Sequence, residues 1–186
     1  QSLKEAMAEI AHNQVLSRWC DSSSQVACDI QHHNSASAAI YRDTIRKTYS
    51  PASPENVFNI VSKIGGETGW FRYHWLWKLR GFIDILSGGP GLSRGRRDHQ
   101  NLRTGDILDF WKVADLVPKQ RLLLYSQMKV PGKAWLEFQI DPIFLTITAH
   151  FFPRGLGGRL YWIFTKPFHV LLFPAMTRAI VKEAQK

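Results

Sequence analysis

Hydrophobic and polar residues follow two different periods along this chain, and the change comes near Gly105. Before it, apolar residues mostly recur every three to four positions, which is typical of helices, whereas afterwards they alternate, which is typical of strands. Four strand-length runs follow, and they cover residues 106–116, 121–129, 133–140 and 143–152. Because the connections between these runs are short, the pattern predicts an antiparallel meander of neighbouring strands.

Two elements are predicted at the start of the compact region. Residues 41–49 alternate and are rich in Thr and Tyr, which favours a strand with an exposed basic face. Ser53 followed by Pro54 is typical of the start of a helix, because Ser caps free amides and Pro fits the first helical position. The apolar stripe over 57–64 continues this helix until Gly65.

A second helix is predicted over residues 70–87, where the helical period returns, and the glycines from Gly88 onward end it. This helix is expected to pack against the core. Its apolar stripe consists of Trp75, Leu79, Phe82 and Leu86, with Leu76 and Ile83 beside them.

One face of the predicted sheet is apolar, so another element must cover it. Residues 156–185 are rich in large apolar side chains and predict one long helix or two short ones, because Pro167 and Pro174 must kink or break it. The order of a strand, two helices, a meander and a final helix predicts an α+β grip.

The first part of the chain differs in composition from the rest. Residues 2–16 predict a short amphipathic helix, and the polar stretch 21–37 is typical of a linker. We therefore assign residues 1–38 to an N-terminal helix and linker and residues 39–186 to one domain. The chain opens at Gln1 without a signal-peptide pattern, which favours a fragment of a longer protein.

Charge and cysteine content narrow the possible environment and partners. The net charge of +9 favours contact with an anionic ligand, lipid or partner. The two cysteines, Cys20 and Cys28, are too few for a disulfide framework, which fits a reducing, cytoplasmic setting. Their spacing from His32 and His33 does not match that of known zinc modules. Neither a metal site nor a transmembrane segment is expected, since the most apolar run is interrupted by charge and proline.

A group of short phrases resembles an uncharacterised bacterial domain family of the START and Bet v1-like (SRPBCC) helix-grip superfamily. The phrases are GW at 69–70, WLWKLRG at 75–81, GGPGL at 88–92, RGRRD at 94–98, GD at 105–106, DFW at 109–111, AWLEF at 134–138 and PRGL at 153–156.

This resemblance implies a helix-grip fold, in which an antiparallel curved sheet wraps around a long kinked C-terminal helix. The superfamily usually has six or seven strands, whereas five are counted here. Members of the family are often fused behind an NmrA-like, atypical short-chain dehydrogenase domain, so the resemblance implies an upstream NAD(P)-binding partner domain. The G-x-G-x-x-G turn that binds a dinucleotide is missing, so no cofactor is expected in this fragment.

The leading hypothesis is a domain that binds a hydrophobic or amphipathic small molecule. Its arginine-rich loop offers donors for an anionic group, but exposed loops more commonly use such arginines to pair with nearby aspartates, here Asp98, Asp106 or Asp109. The aromatic residues could line a pocket or form an ordinary core. The candidate ligand-binding residues are Trp77, Arg94, Arg96, Arg97, Trp111, Met128, Phe138, His150 and Phe164.

Two other functions are compatible with the sequence. The first is an enzyme that acts on a bound ligand through Asp109, Glu137 or His150, with His74 and His169 as further acid-base groups. The second is a docking domain with an apolar patch on a terminal helix and no cavity. Nucleic acid is not expected as a partner, because basic and aromatic residues are not clearly interleaved on one strand face.

Overall fold

Six antiparallel strands form one sheet in the computed structural model, which describes residues 41–65, 69–70, 74–86, 88 and 101–186. The strands are β1 (Tyr41–Thr48), β2 (Ile107–Leu108), β3 (Trp111–Val117), β4 (Arg121–Ser126), β5 (Gly132–Ile140) and β6 (Phe144–Pro153). Their order across the sheet is β1-β6-β5-β4-β3-β2. The predicted N-terminal helix and linker, the cysteines, and the loop with Arg94, Arg96 and Arg97 lie outside the described residues.

Three helices accompany the sheet, and they are α1 (Pro54–Val61), α2 (His74–Leu86) and α3 (Gly155–Ala184). The prediction of an α+β fold with an antiparallel sheet and a long C-terminal helix is confirmed. Pro167 and Pro174 both lie inside α3, which continues through them as one helix.

Strand β1 lies at the edge of the sheet. It pairs with β6, which is the last strand in the sequence, and not with β2, which follows it in the sequence. The register runs antiparallel from Tyr41 opposite Phe151 to Thr48 opposite Phe144. This pairing sets β1 beside α3, because α3 follows β6 directly and packs on both strands. Residues from opposite ends of the domain therefore meet along α3.

The prediction of a single strand over residues 106–116 is wrong, and the split explains why the sheet has six strands and not five. Leu108 pairs with Trp111, so β2 and β3 form a tight hairpin around Asp109 and Phe110. Asp109 has a φ of 57°, in the left-handed region that Asp tolerates better than most residues. The sequence Asp-Phe is not one of the common hairpin turns, so the pattern gave little sign of it.

Helix α1 begins as predicted. The side-chain oxygen of Ser53 accepts a hydrogen bond from the amide of Asn56 at 3.1 Å, and Pro54 occupies the first turn. Val57 and Val61 are buried against the sheet and α3. The helix ends at Val61, one turn before the predicted end.

The predicted orientation of α2 is wrong. The stripe that was expected to face the core is exposed, whereas Leu76 and Trp77 are buried. Much of the circumference of α2 is apolar, so periodicity alone did not distinguish the buried side. The exposed stripe residues are Trp75, Leu79, Phe82 and Leu86.

The main core lies between α1, α2, α3 and the face of the sheet that they cover, which we call the inner face. A second, smaller cluster on the outer face contains Leu123, Tyr125 and Trp135. Among the helices that the structure describes, none combines the length and apolar composition needed to cross a bilayer.

The start of α3 is packed closely enough to test by adding one methyl group. A Cβ at Gly158 would lie 2.4 Å from the carbonyl oxygen of Pro131 and 2.8 Å from the Cα of Pro153. We expect Gly158→Ala to lower the free energy of unfolding by about 1–3 kcal/mol, measured by urea denaturation, because the backbone must move.

Gly157→Ala is the matched control. Its Cβ would meet nothing closer than Pro131 Cβ at 3.9 Å, an ordinary contact. The higher helix propensity of Ala should leave this variant as stable as the parent or up to about 1 kcal/mol more stable. Equal effects of the two substitutions would contradict the described packing.

Candidate functional site

A cavity of about 230 Å³ lies between α2, the inner face of the sheet and the first half of α3. Most of its wall is aromatic or aliphatic. It is lined by Leu76, Trp77, Leu79, Arg80, Asp84, Trp111, Met128, Lys129, Val130, Ala134, Trp135, Leu136, Ala149, His150, Phe151, Tyr161, Trp162, Thr165, Phe168, His169, Leu172 and Phe173.

One wall of the cavity is a cluster of stacked aromatic rings. Trp70 stacks on Trp77 with ring centroids 4.6 Å apart, and Phe110 lies between 5.7 and 6.2 Å from Trp70, Trp77 and Trp111. The indole Nε1 of Trp70 donates a hydrogen bond to Asp109 Oδ2 at 2.8 Å. The hairpin turn at Asp109 therefore fixes the ring on which the cavity residue Trp77 stacks.

Two indole N–H groups of this wall have no partner. Trp77 and Trp111 are 5% and 6% exposed, and neither Nε1 has a hydrogen-bond partner among the described residues. Trp70 in the same cluster is satisfied by Asp109. Because a buried, unpaired donor costs about 1–3 kcal/mol, a rotation of either ring that brings its N–H to an acceptor would be favourable.

Polar side chains of α2 meet α3 at another part of the wall. Arg80 donates to the hydroxyl of Tyr161 and, through Nε, to the sulfur of Met128 at 3.2 Å. Asp84 is 5% exposed and accepts a hydrogen bond from the Lys129 amide at 2.9 Å. The cavity thus combines a mainly apolar surface with one fixed guanidinium group.

His169 is held at the cavity by three neighbours. Its Nδ1 lies 2.9 Å from Asp43 Oδ2, its ring stacks on Phe173 at 4.8 Å, and Trp162 meets it edge-on at 5.1 Å. Burial lowers the pKa of His169, and the charge of Arg80 acts in the same direction, against the opposing hydrogen bond and charge of Asp43. The imidazole is therefore neutral at physiological pH.

A separate ionic network occupies the outer face of the sheet. Glu137 binds His150 Nε2 at 2.8 Å and Arg121 Nε at 2.7 Å, and Arg121 also binds Asp115 at 3.0 Å. Burial alone would raise the pKa of Glu137, but the hydrogen bonds and charges of His150 and Arg121 outweigh it and lower that pKa. This network is a structural link between β3, β4, β5 and β6.

The structure does not bring together the three acid-base residues of the enzyme hypothesis. Asp109 is buried in the hairpin turn and bonded to Trp70. Glu137 and His150 point to the outer face, because their strand neighbours Leu136 and Ala149 belong to the inner core. His150 borders the cavity, but strand alternation turns its ring away from it.

The predicted ligand-binding residues fall into different places. Trp77, Trp111 and Met128 line the cavity. Phe138 is fully buried in the core and is not part of the cavity wall, and Phe164 is 72% exposed on α3.

Sequence reasoning missed Arg80 and Tyr161 as cavity residues. A signal was available for α3, because Tyr161, Thr165 and His169 recur at a spacing of four and so share one face of the helix.

In the described part of the chain, no three His, Cys, Asp or Glu side chains are grouped so that they could hold a metal ion.

The family model described as "protein of unknown function (DUF2867)" matches residues 35–176. This match covers most of the chain, so the protein belongs to that family. No curated protein matches the sequence significantly.

Several solved structures are similar in arrangement at low identity. Norcoclaurine synthase from Thalictrum flavum is 10% identical with a TM-score of 0.45, and the match covers 88% of this chain and 96% of that one. A protein of unknown function from Staphylococcus aureus is 15% identical with a TM-score of 0.42, over 81% of this chain and 99% of that one. A Chromobacterium violaceum protein is 15% identical with a TM-score of 0.40, over 78% and 98%.

The outer-face network should make stability depend on pH. We expect Glu137→Gln to lower the free energy of unfolding at neutral pH by about 1–3 kcal/mol, because His150 and Arg121 lose their charged acceptor. The contribution of Glu137 is present above its ordinary pKa of 4.5 and is lost as the pH falls through the lowered, folded-state value. The difference between parent and variant should therefore shrink in acid.

Urea denaturation at neutral pH and again in acid measures the effect of Glu137→Gln, and Glu55→Gln is the control. Glu55 pairs with Lys119 at the surface, where the two side chains are 59% and 57% exposed. Exposed pairs contribute little, so this control should unfold like the parent at both pH values. A Glu137→Gln variant with the same pH profile as the parent would show that the network does not stabilise the fold.

Proposed function

We propose that this member of the DUF2867 family binds a small, mainly apolar molecule that carries a hydrogen-bond acceptor, in the cavity between α2, the sheet and α3. The observation that carries this proposal is the pair of buried indole N–H groups of Trp77 and Trp111, which have no partner in the described part of the chain. Both N–H groups are enclosed by neighbouring atoms, so a rotation of the rings would bring them to an acceptor on the ligand, while the apolar wall would supply affinity through buried area.

The size of the cavity limits the ligand. Pockets for drug-sized molecules occupy about 300–1,000 Å³, and this one has about 230 Å³. A ligand with one or two rings, or a short branched chain, suits this volume. The guanidinium of Arg80 at the wall further favours a molecule that is amphipathic, with its polar atom as an acceptor.

The position of two wall residues supports an entrance between the helices. Leu79 of α2 and Phe168 of α3 both line the cavity, yet they are 44% and 49% exposed. A ligand can therefore enter between α2 and α3 without unfolding the sheet. Arg94, Arg96 and Arg97 remain candidate donors for an anionic group of the ligand.

The wider role that we propose is that of an accessory domain in a longer, cytoplasmic protein with an upstream NmrA-like, NAD(P)-binding domain. The resemblance of the sequence phrases motivates this context. Most of the exposed large hydrophobic residues lie on α2 and α3, and such surfaces commonly mark a docking face. Docking and ligand binding are compatible, because most of these exposed residues do not line the cavity.

The ligand proposal predicts a preference for an acceptor that depends on two tryptophans. The parent should bind methyl naphthyl ketone more tightly than isopropenylnaphthalene, a hydrocarbon of the same shape. Trp77→Phe and Trp111→Phe keep the aromatic ring but remove the N–H, so each should reduce this preference about fivefold, which corresponds to about 1 kcal/mol. Isothermal titration calorimetry measures both affinities.

Trp75→Phe is the control, since Trp75 lies on the same helix but is 61% exposed. It should bind both compounds like the parent. If neither compound binds, or if the preference for the ketone survives in both cavity variants, the indole donors do not define the site.

The docking proposal predicts an effect that appears only in the longer protein. Leu160 and Phe164 are 52% and 72% exposed on α3, so Leu160→Ser together with Phe164→Ser should hardly change the stability of the present chain. With the upstream domain attached, the same change should increase the radius of gyration in X-ray scattering. Ile143→Ser is the control, because Ile143 is 56% exposed in the turn between β5 and β6 and does not belong to a helix. An unchanged radius in the double variant would refute docking through α3.

A further inference from the structure

We propose that His169 and Asp43 form a general-base pair that removes a proton from a ligand held in the cavity. The proposal rests on the ligand binding proposed above and adds a chemical step to it. The substrate class is a small, mainly apolar carbonyl compound with an acidic C–H bond next to the carbonyl group.

The two ring nitrogens of His169 have different surroundings. Nδ1 lies 2.9 Å from Asp43 Oδ2, and Asp43 belongs to β1 and does not line the cavity. The opposite edge of the imidazole carries Nε2, and because His169 lines the cavity we place this edge toward it. Within the described residues Nε2 has no hydrogen-bond partner.

Asp43 determines which nitrogen carries the proton. An ionised carboxylate only accepts hydrogen bonds, so it holds the neutral imidazole with the proton on Nδ1. The lone pair is then on Nε2, at the edge that meets the cavity. Hydrolytic triads use a carboxylate in the same way, to keep their histidine base in the productive tautomer.

The packing keeps the ring in this orientation. Phe173 stacks on one side of the imidazole with an interplanar angle of 12°, and Trp162 contacts it edge-on at 66°. All three residues belong to α3, whereas Asp43 comes from β1. A base that is already oriented loses little entropy when the ligand arrives.

The charges around His169 keep it neutral and ready to accept a proton. Asp43 faces it from β1 and favours the protonated form, while Arg80 faces it from α2 and disfavours that form. Burial has the largest effect and lowers the pKa of His169. A histidine of lowered pKa is unprotonated at physiological pH, which is the state that catalysis needs.

The proposed step balances without a cofactor. Nε2 of His169 takes the proton, the electrons of the C–H bond form a carbon–carbon double bond, and the carbonyl electrons move to oxygen to give an enolate. The guanidinium of Arg80, which lines the cavity, can stabilise that oxygen. Return of the proton from Nε2 to the enolate oxygen would release the enol, an isomer of the substrate, and restore the neutral histidine.

The test uses nitrobenzisoxazole, an apolar bicyclic probe of base strength in a cavity. Removal of its ring C–H proton by a base breaks the N–O bond and gives a coloured cyanonitrophenolate, with no other reactant. The parent should accelerate this reaction over buffer, and His169→Gln should lower the rate about a hundredfold. Asp43→Asn should also lower it, because an amide can hold the opposite tautomer.

Lys166→Gln is the matched control, since Lys166 is an exposed base on the same helix. It should leave the rate unchanged, which excludes catalysis at the surface. The rate of the parent should rise with pH to a plateau, with a midpoint below the ordinary histidine value of 6.5. The same midpoint should appear when the His169 ring is followed by NMR during a pH titration.

The outcomes separate this inference from the proposed function. If the probe quenches the tryptophan fluorescence of the parent but His169→Gln is as fast as the parent, the cavity binds ligands and the general base is refuted. If the probe and the naphthyl ketone both fail to bind, the proposed function fails as well. An NMR titration that shows the proton on Nε2, or a midpoint above 6.5, refutes the pair even if His169→Gln does not fold.

Discussion

The width of the sheet is the constraint on which the rest of the structure depends. Strands lie about 4.8 Å apart, so a six-stranded sheet is on the order of 25–30 Å wide, whereas a helix with its side chains is only about 10 Å across. The single long helix α3 packs on β6 and β1 and therefore leaves much of the inner face uncovered. Large aromatic side chains and the shorter helices must fill the remainder, and the cavity is the space that they leave.

This origin explains why the cavity wall contains so many tryptophans. Rings of this size can reach across the gap between α2 and the sheet, and Trp77 and Trp111 do so from the two sides. Each tryptophan brings an indole N–H into an apolar region, where it needs an acceptor. Trp70 finds one in Asp109, whereas the indole N–H groups of Trp77 and Trp111 have none among the described residues.

The parts of the fold that depend on local sequence could be predicted. Period-two alternation gave the strands, and Ser53 with Pro54 gave the start of α1. The hairpin at Asp109 could not be predicted, because it depends on one residue held in the left-handed region by its surroundings. The buried side of α2 could not be predicted either, since apolar residues lie on both of its sides.

The candidate site was only partly predictable for a related reason. Tryptophans on α2 and at the hairpin are visible in the sequence as possible pocket residues, but the significance of His169 depends on Asp43, which is 126 positions away. The two meet only because β1 pairs with β6 and so lies under α3. The sequence of α3 alone shows His169 only as a histidine on a largely apolar helix. Its partner Asp43 becomes visible only when the position of β1 is known. The pairing of β1 with β6 thus completes the sheet and, in the same step, supplies the partner that fixes the tautomer of His169.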